Sequence, residues 1–341
     1  MYKVGIIGLG KIAAGYGKPE DAAPYCHVGG IRFSQKVALA AVADLSAAAR
    51  EAFRQKWGPY FPHTRYYESG QAMLAAERLD IVAVCVRGPY HLQTMMEVIA
   101  AGPRAIFLEK PPSCSLEEMD QMVAAAQARG IPITVSYSRH WCPHVLRLQE
   151  LVQGGIIGKV QMVVGYNGHN ILSFASHTTD LICQFAGYDP VAVYARGHLP
   201  EGEVPAGYEP EPQLDAMIIE FHSGVVGIQV GGAGEHGQFY VEVTGTEGRV
   251  RAGIYGPPLV QDREGKPLDL AGLNMPPNAS VFKVAYEQIA DYLSGGPLPH
   301  CTNRDFITVN EIGFAAIESL YSGQRIPLPT QRRDRKIWAN G

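Results

Sequence analysis

The sequence predicts an α/β chain in two parts. Residues 1–136 read as a doubly wound parallel sheet, and residues 137–341 as an α+β domain built on an open, largely antiparallel sheet. Apolar runs at 4–9, 37–43, 81–86, 105–108 and 131–135 alternate with helical patterns. None alternates residue by residue, as expected of parallel strands covered by helices on both faces. After residue 137 the strand-like segments do alternate or carry β-branched residues, at 159–166, 190–197, 213–221, 224–231, 238–244 and 248–252. The length of 341 residues also exceeds what one hydrophobic core ordinarily serves.

In the first part the clearest helices are Ala47–Trp57, His91–Ala101 and 116–129. Ser115, followed by Glu117 and Glu118, reads as an N-cap with acidic first-turn residues, and Ser69 as the cap of Gly70–Ala76. One unit is irregular. Gly15, Gly17 and Pro19 stop the first helix early, and residues 24–30 start another, which reads as a surface insertion. In the second part a helix, Pro143–Gln153, ends at Gly154 and Gly155, and another interrupts the strands between 170 and 186. Segments 198–212 and 255–279 read as exposed loops, and helices 281–294 and Arg304–Ser322 close the domain. The polar, basic tail 331–341, with Trp338 near its end, reads as frayed or, as the alternative, as an arm that docks on a neighbour. An open sheet without a third layer needs a cover, and subunit pairing into a homodimer or homotetramer is the simplest one.

Composition narrows the partners. A formal net charge of −4 provides no basic footprint, so neither nucleic acid nor an anionic membrane surface is expected. The six cysteines lie far apart with no C-x-x-C, which reads as scattered thiols and no metal site. No apolar run reaches the length of a membrane span and no leader pattern opens the chain, so a cytoplasmic protein is expected.

The chemistry sits at two strand ends. Gly8, Gly10 and Ala13 follow the apolar run Val4 to Ile7 in a G-x-G-x-x-A pattern, a strand turning tightly into a helix. Two glycines let backbone N–H groups approach a dinucleotide pyrophosphate, so this part reads as a Rossmann domain with Gly8, Gly10, Lys11 and Ile12 on the cofactor. Asp44 ends the second strand, where a carboxylate accepts the ribose hydroxyls and repels a 2′-phosphate. NAD is therefore favoured over NADP, with Arg50 the nearest cation. Glu109, Lys110 and Pro111 follow the run Ala105 to Leu108, which sets a lysine at the carboxyl end of a strand. A lysine beside a cationic nicotinamide can lose its proton readily and then accept one from a substrate hydroxyl. Glu109 reads as the group that positions Lys110 or the cofactor, and Pro111 as a possible cis proline.

In order and separation these motifs resemble the Gfo/Idh/MocA family, the glucose–fructose oxidoreductase and inositol dehydrogenase group. The resemblance runs through Gly8 to Ala13, Asp44, His91 opening a helix, Glu109 to Pro111, Gly155 to Lys159, His177 with Asp180, and Gly323 to Pro329. It implies NAD(P)-dependent hydride transfer at a secondary hydroxyl of a sugar, inositol or related polyol. It also implies cofactor contacts at Arg87, His91 and Glu109, and a His177 that shares proton transfer with Lys110, with Asp180 orienting the ring. The chain departs from the family at Ser173, where many members have aspartate, and at Arg87, where many have threonine. Substrate-side candidates are Lys110, Arg139, Tyr166, Asn167, Ser173 and His177, joined by His140, His169 and Asn170, and by Tyr16, Tyr25 and His27 of the insertion. Two other functions fit the same pattern: a redox-assisted glycoside-cleaving enzyme with tightly held NAD, and a non-catalytic NAD-binding regulator.

Overall fold

A computed structural model describes residues 1–231, 239–277 and 279–340. In chain order it begins with β1 (Tyr2–Ile7), α1 (His27–Phe33), β2 (Val37–Ala43), α2 (Ala47–Trp57), β3 (Arg65–Tyr67) and α3 (Gly70–Ala76). Next come β4 (Ile81–Val84), α4 (His91–Ala101), β5 (Ala105–Leu108), α5 (Leu116–Gln127) and β6 (Ile133–Val135). The chain continues through α6 (Pro143–Gln153), β7 (Val160–Tyr166), β8 (His169–Asn170), α7 (Ser176–Ala186), β9 (Pro190–His198) and β10 (Gln213–Phe221). It ends with β11 (Val226–Val230), β12 (Tyr240–Gly245), β13 (Gly248–Gly253), β14 (Leu259–Asp262), α8 (Val281–Leu293), α9 (Arg304–Ser322) and β15 (Ile326–Pro327). These elements form two compact units. One comprises Met1–Ser113, Glu118–Trp141 and Ala279–Asn303; the other comprises Cys114–Glu117, Cys142–Asn278 and Arg304–Gly341.

The first unit holds a parallel sheet in the order β3-β2-β1-β4-β5-β6. Its centre is dry: Val4, Ile6 and every residue of β4 are fully buried, as the unbroken apolar runs require. Strand order reverses between β1 and β4, the switch point beyond whose carboxyl ends ligands bind in open α/β sheets. Ser46 and Ser69 cap α2 and α3 by accepting from Ala49 N and Ala72 N at 3.2 and 3.1 Å. The first helix stops early, as its glycines indicate, and is one wide turn, Lys11–Gly15. Two features differ from the sequence expectation. The edge strand β3 is three residues long and only partly buried, too short to show a period. And α8 packs in the first unit, where Ser280 Oγ donates to Pro24 O at 2.9 Å and caps the helix through Lys283 N. Helical periodicity shows that a segment has a buried face; it does not show which unit supplies the partner.

The wide turn leaves carbonyls that a continuing helix would have paired. The end of α2 meets them: Trp57 Nε1 donates to Ala14 O at 2.8 Å, and Lys56 Nζ donates to Ala14 O and Gly15 O at 3.1 and 2.9 Å.

The second unit holds a mixed sheet in the order β14-β13-β12-β7-β11-β10-β9-β15, with β8 paired to β10. Among the described strands of this sheet only β7 and β11 pair in parallel. The strand expected over 238–244 is β12, and Gln238 lies outside the described residues. β14 was not expected: of its four residues only Val260 is buried, and it falls in a segment rich in turn formers. Helices α6, α7 and α9 pack on this sheet. Away from them Ile218, Val226 and Val230 stay 43%, 37% and 39% exposed.

The tail departs from expectation most clearly, because it is docked. Arg335 pairs with Glu209 and with Glu318 Oε1 at 2.6 Å, and Arg333 Nη1 meets Glu311 Oε1 at 2.5 Å. Ile337 and Ala339 are fully buried, and the Trp338 and Tyr208 rings meet edge-on with centroids 5.0 Å apart. The composition of the tail misleads because its arginines find carboxylates far away in sequence. Since Arg335 is buried between two such partners, Arg335→Ala is expected to destabilise the protein by about 2 kcal/mol, read as a lower urea midpoint at unchanged m.

Candidate active site

Five cofactor candidates, Gly8, Gly10, Lys11, Ile12 and Asp44, gather at the carboxyl ends of β1 and β2. After Ile7 the chain turns at Gly8 with φ +92°, and a Cβ there would lie 2.8 Å from the carbonyl carbon and oxygen of Cys85. Gly8 is therefore demanded by both conformation and space. At Gly10 the reverse holds: φ is −68° and no atom lies within 4 Å of a Cβ position. That open face is the room a pyrophosphate needs beside the backbone. Lys11 is exposed, Ile12 half-buried and Ala13 buried, so the turn is anchored by Ala13 and presents the other two. The N–H groups come from a single wide turn, and the helix amino terminus expected here is one turn long.

Asp44 is tied into this turn. Its Oδ2 accepts from Leu9 N at 2.7 Å and its Oδ1 from Ser46 N at 2.8 Å, so the carboxylate is fixed at the edge of the glycine cradle. Arg50, the one nearby cation noted from the sequence, donates to Asp44 O and Leu45 O at 2.6 and 3.3 Å. It is held against backbone, away from any role as a free phosphate ligand.

At β5 the sequence expectations are redistributed. Lys110 is half-buried, and the Lys110–Pro111 peptide is cis. Glu109 is buried and engaged from behind: His27 Nε2 lies 2.9 Å from Glu109 Oε1, and the Lys110 N–H donates to Glu109 Oε2 at 3.3 Å. Burial alone pushes the Glu109 carboxyl up, but the His27 hydrogen bond and charge, with Lys110 nearby, hold it below its ordinary value. His27, expected on the substrate side, is fully buried and so faces the core. His91, expected beside the cofactor, is also fully buried, its ring nitrogens 2.9 Å from Pro111 O and Val86 O. It braces the loops after β4 and β5, and burial lowers its pKa despite those two carbonyls. Arg87 is exposed just before α4, and Arg139 is buried with Nη1 donating to Ser138 Oγ at 3.1 Å.

In the second unit His177 stands half-buried in the first turn of α7, its ring edge-on to Phe239 at 5.9 Å. Asp180 is fully buried and accepts from Gln184 Nε2 at 2.8 Å and Tyr188 OH at 3.1 Å. Tyr166 stacks on Tyr240 with centroids 4.8 Å apart. Asn167 is buried, and its Oδ1 lacks a hydrogen-bond partner among the described residues.

Ser173 hides a residue that sequence reading missed. Its Oγ donates to Glu211 Oε2 at 2.6 Å, while Glu211 Oε1 accepts from Leu172 N and Ser173 N at 2.7 and 2.6 Å. A buried carboxylate thus enters beside position 173 from another segment. Burial raises the Glu211 pKa against these donors. Ser173 itself is buried and its hydroxyl is engaged by Glu211. No sequence signal marked Glu211, because it sits in a stretch of Pro and Glu that reads as exposed loop.

A family model described as an oxidoreductase family with an NAD-binding Rossmann fold, Gfo/Idh/MocA, matches residues 2–137. Over residues 2–137 the chain is thus similar to the Gfo/Idh/MocA family of oxidoreductases. The uncharacterized oxidoreductase YrbE of Bacillus subtilis is 24% identical over 95% of this chain and 96% of its own. The myo-inositol 2-dehydrogenase of Thermotoga maritima is 21% identical over 73% of this chain and 75% of its own. A crystal structure of an oxidoreductase from Agrobacterium radiobacter, in complex with NAD+, L-tartaric acid and magnesium, has the same fold. It matches at TM-score 0.76 and 19% identity over 96% of this chain and 98% of that one.

The two glycines separate stability from binding. Gly8→Ala is expected to cost about 2 kcal/mol or more, from strain and the clash at Cys85. Gly10→Ala should leave the melting temperature unchanged and weaken NAD binding at least about tenfold, measured by calorimetric titration, because its methyl enters only the ligand's space. Glu109 adds a pH signature. With its folded pKa below the unfolded one, its contribution is fully present above about pH 4.3 and is lost as the pH falls through the lowered value. In His27→Leu the Glu109 value rises, so acid unfolding should begin at higher pH, followed by circular dichroism.

Proposed function

We propose that the chain is an NAD-dependent dehydrogenase or reductase acting at a secondary hydroxyl or ketone of a sugar, inositol or related polyol. One observation carries this reading: a glycine cradle with open space over Gly10 shares a sheet edge with a half-buried lysine at the end of β5. Gly8, Gly10, Lys11 and Ile12 would hold the pyrophosphate, and Asp44 the adenosine ribose. With Asp44 fixed and Arg50 tied to backbone, a 2′-phosphate meets an anion and gains no free cation, which favours NAD over NADP. When bound, the nicotinamide supplies the hydride acceptor or donor.

Lys110 Nζ takes the proton from the reacting hydroxyl in oxidation and returns it in reduction. As an ammonium it also stabilises the developing alkoxide. His177 is the second proton-handling group, with Asp180 in the same helix as its support. Asn167 Oδ1, buried and without a partner among the described residues, is suited to accept a hydrogen bond from a neutral substrate hydroxyl. That chemistry fits a polyol better than an anion. Arg87 is the group that would extend recognition to a carboxylate.

The test is absorbance at 340 nm with NAD and with NADP over a panel of inositols, aldoses, uronates and aminosugars. Activity with NAD is expected, with kcat reduced about 10²- to 10⁴-fold in Lys110→Met and in His177→Ala. Glycoside cleavage without net NADH would replace this reading with redox-assisted elimination. Function undiminished in Lys110→Met would point to a regulator.

We also propose a homodimer or homotetramer that buries the outer face of the second sheet, where Ile218, Val226 and Val230 lie exposed together. Ile218→Asp with Val230→Asp should lower the sedimentation coefficient to that of a monomer. The six buried thiols fit a reducing, cytoplasmic setting, and no described helix is long and apolar enough to cross a membrane.

A further inference from the structure

Behind Lys110 the first unit carries a buried polar chain that the proton transfer does not itself use. Glu109 Oε1 lies 2.9 Å from His27 Nε2, and His27 Nδ1 lies 2.9 Å from the Tyr286 hydroxyl. The three groups come from the end of β5, the start of α1 and the middle of α8, and all three are buried. Aromatic rings enclose the imidazole: Phe107 and Phe282 lie 4.7 and 4.6 Å from its centroid, and Trp141 meets Phe107 edge-on at 5.5 Å.

The protons can be assigned from the chemistry of the partners. Burial holds the Tyr286 phenol neutral, and its hydroxyl lies within hydrogen-bond reach of His27 Nδ1. Nε2 faces a carboxylate and so donates to it. The imidazole thus bridges a neutral phenol and an anion. The other titratable groups bearing on Glu109 and Tyr286 are Cys26, Cys85, His91 and Lys110. Burial pushes the Cys26 thiol to about 11 and the Cys85 thiol well up, and it lowers His91, so these three are neutral near pH 7. The Lys110 charge also bears on the buried anion.

An anion in such a box is costly, and hydrocarbon of the same volume would pack there without cost. Its position one residue before the candidate base points to a role in that base's environment. We propose that Tyr286, His27 and Glu109 are positioning residues for Lys110, holding an ionised carboxylate against the lysine's backbone N–H and so setting its orientation and the electrostatic field around it. The role rests on reading Lys110 as the proton-transfer group; the field acts on Lys110 whether or not that reading holds.

The test therefore measures Lys110 apart from turnover. Lysines of the cofactor-free protein are 13C-methylated, and the Lys110 resonance, identified by its loss in Lys110→Arg, is titrated by NMR. In Glu109→Gln the Lys110 midpoint is expected to fall by about one pH unit, since the anion is absent, and in His27→Leu to fall measurably, since the carboxylate is no longer held in place. His27→Gln, whose amide can still donate to Glu109, should restore the midpoint to within about 0.3 units, and Tyr286→Phe should fall between. The acid limb of kcat/KM should move in the same direction. Midpoints equal to wild type in folded His27→Leu and Glu109→Gln would overturn the proposal. If His27→Leu does not fold, the isosteric Glu109→Gln decides; if that also fails, Tyr286→Phe does, because it removes a single oxygen. A normal NMR shift with full activity in Lys110→Met would sink the proton-transfer reading while leaving the positioning chain intact.

Discussion

The space under Gly8 governs the first unit. β1 and β4 are adjacent and parallel, and where β1 ends its backbone passes so close to Cys85 that a single methyl group would collide with a carbonyl. The approach requires a left-handed residue and no side chain, and it aims the next segment across the ends of the strands. Asp44 then fastens the turn from the neighbouring strand end by accepting the Leu9 N–H. The open face at Gly10, the fixed carboxylate and the lysine at the end of β5 are all arranged around that crossing.

Early termination of the first helix has consequences through the rest of this unit. The freed carbonyls of Ala14 and Gly15 are taken up by Lys56 and Trp57 from α2. The segment that follows is tied to the core: Arg32 donates to Pro19 O at 2.7 Å and lies over the Tyr60 ring, and Tyr60 donates to Glu20 at 2.8 Å. What reads from the sequence as a surface insertion delivers α1 to α8, and with it His27 to Glu109. The insertion and the site are therefore parts of one packed arrangement.

In the second unit, buried polar groups do comparable work at the first turn of α7. Gln229, fully buried, donates to Asn167 O and Ala175 O at 2.7 and 2.9 Å, and accepts from Thr179 at 2.8 Å. Glu211 gathers the backbone N–H groups of Leu172 and Ser173 on the other side. Satisfied networks of this kind hold a turn in one place, since any displacement strands a buried donor or acceptor. They are what positions the segment leading into His177.

Much of the molecule could be read directly in the chain. Parallel strands covered on both faces write themselves as apolar runs, and the G-x-G-x-x-A turn, Asp44, the Glu109–Pro111 run and the sheet of the second unit all rest on local patterns or short spacings. What only tertiary structure decided depends on partners distant in sequence. Residue 286 completes a hydrogen bond to His27, Glu211 supplies a carboxylate beside Ser173, and Glu209 and Glu318 convert a basic tail into a docked one. Three-residue β3 and half-exposed β14 left too few buried positions to show a period. The division has a physical basis: backbone geometry and burial periodicity are set by neighbours in sequence, whereas a buried charge is stable only where a partner arrives through space.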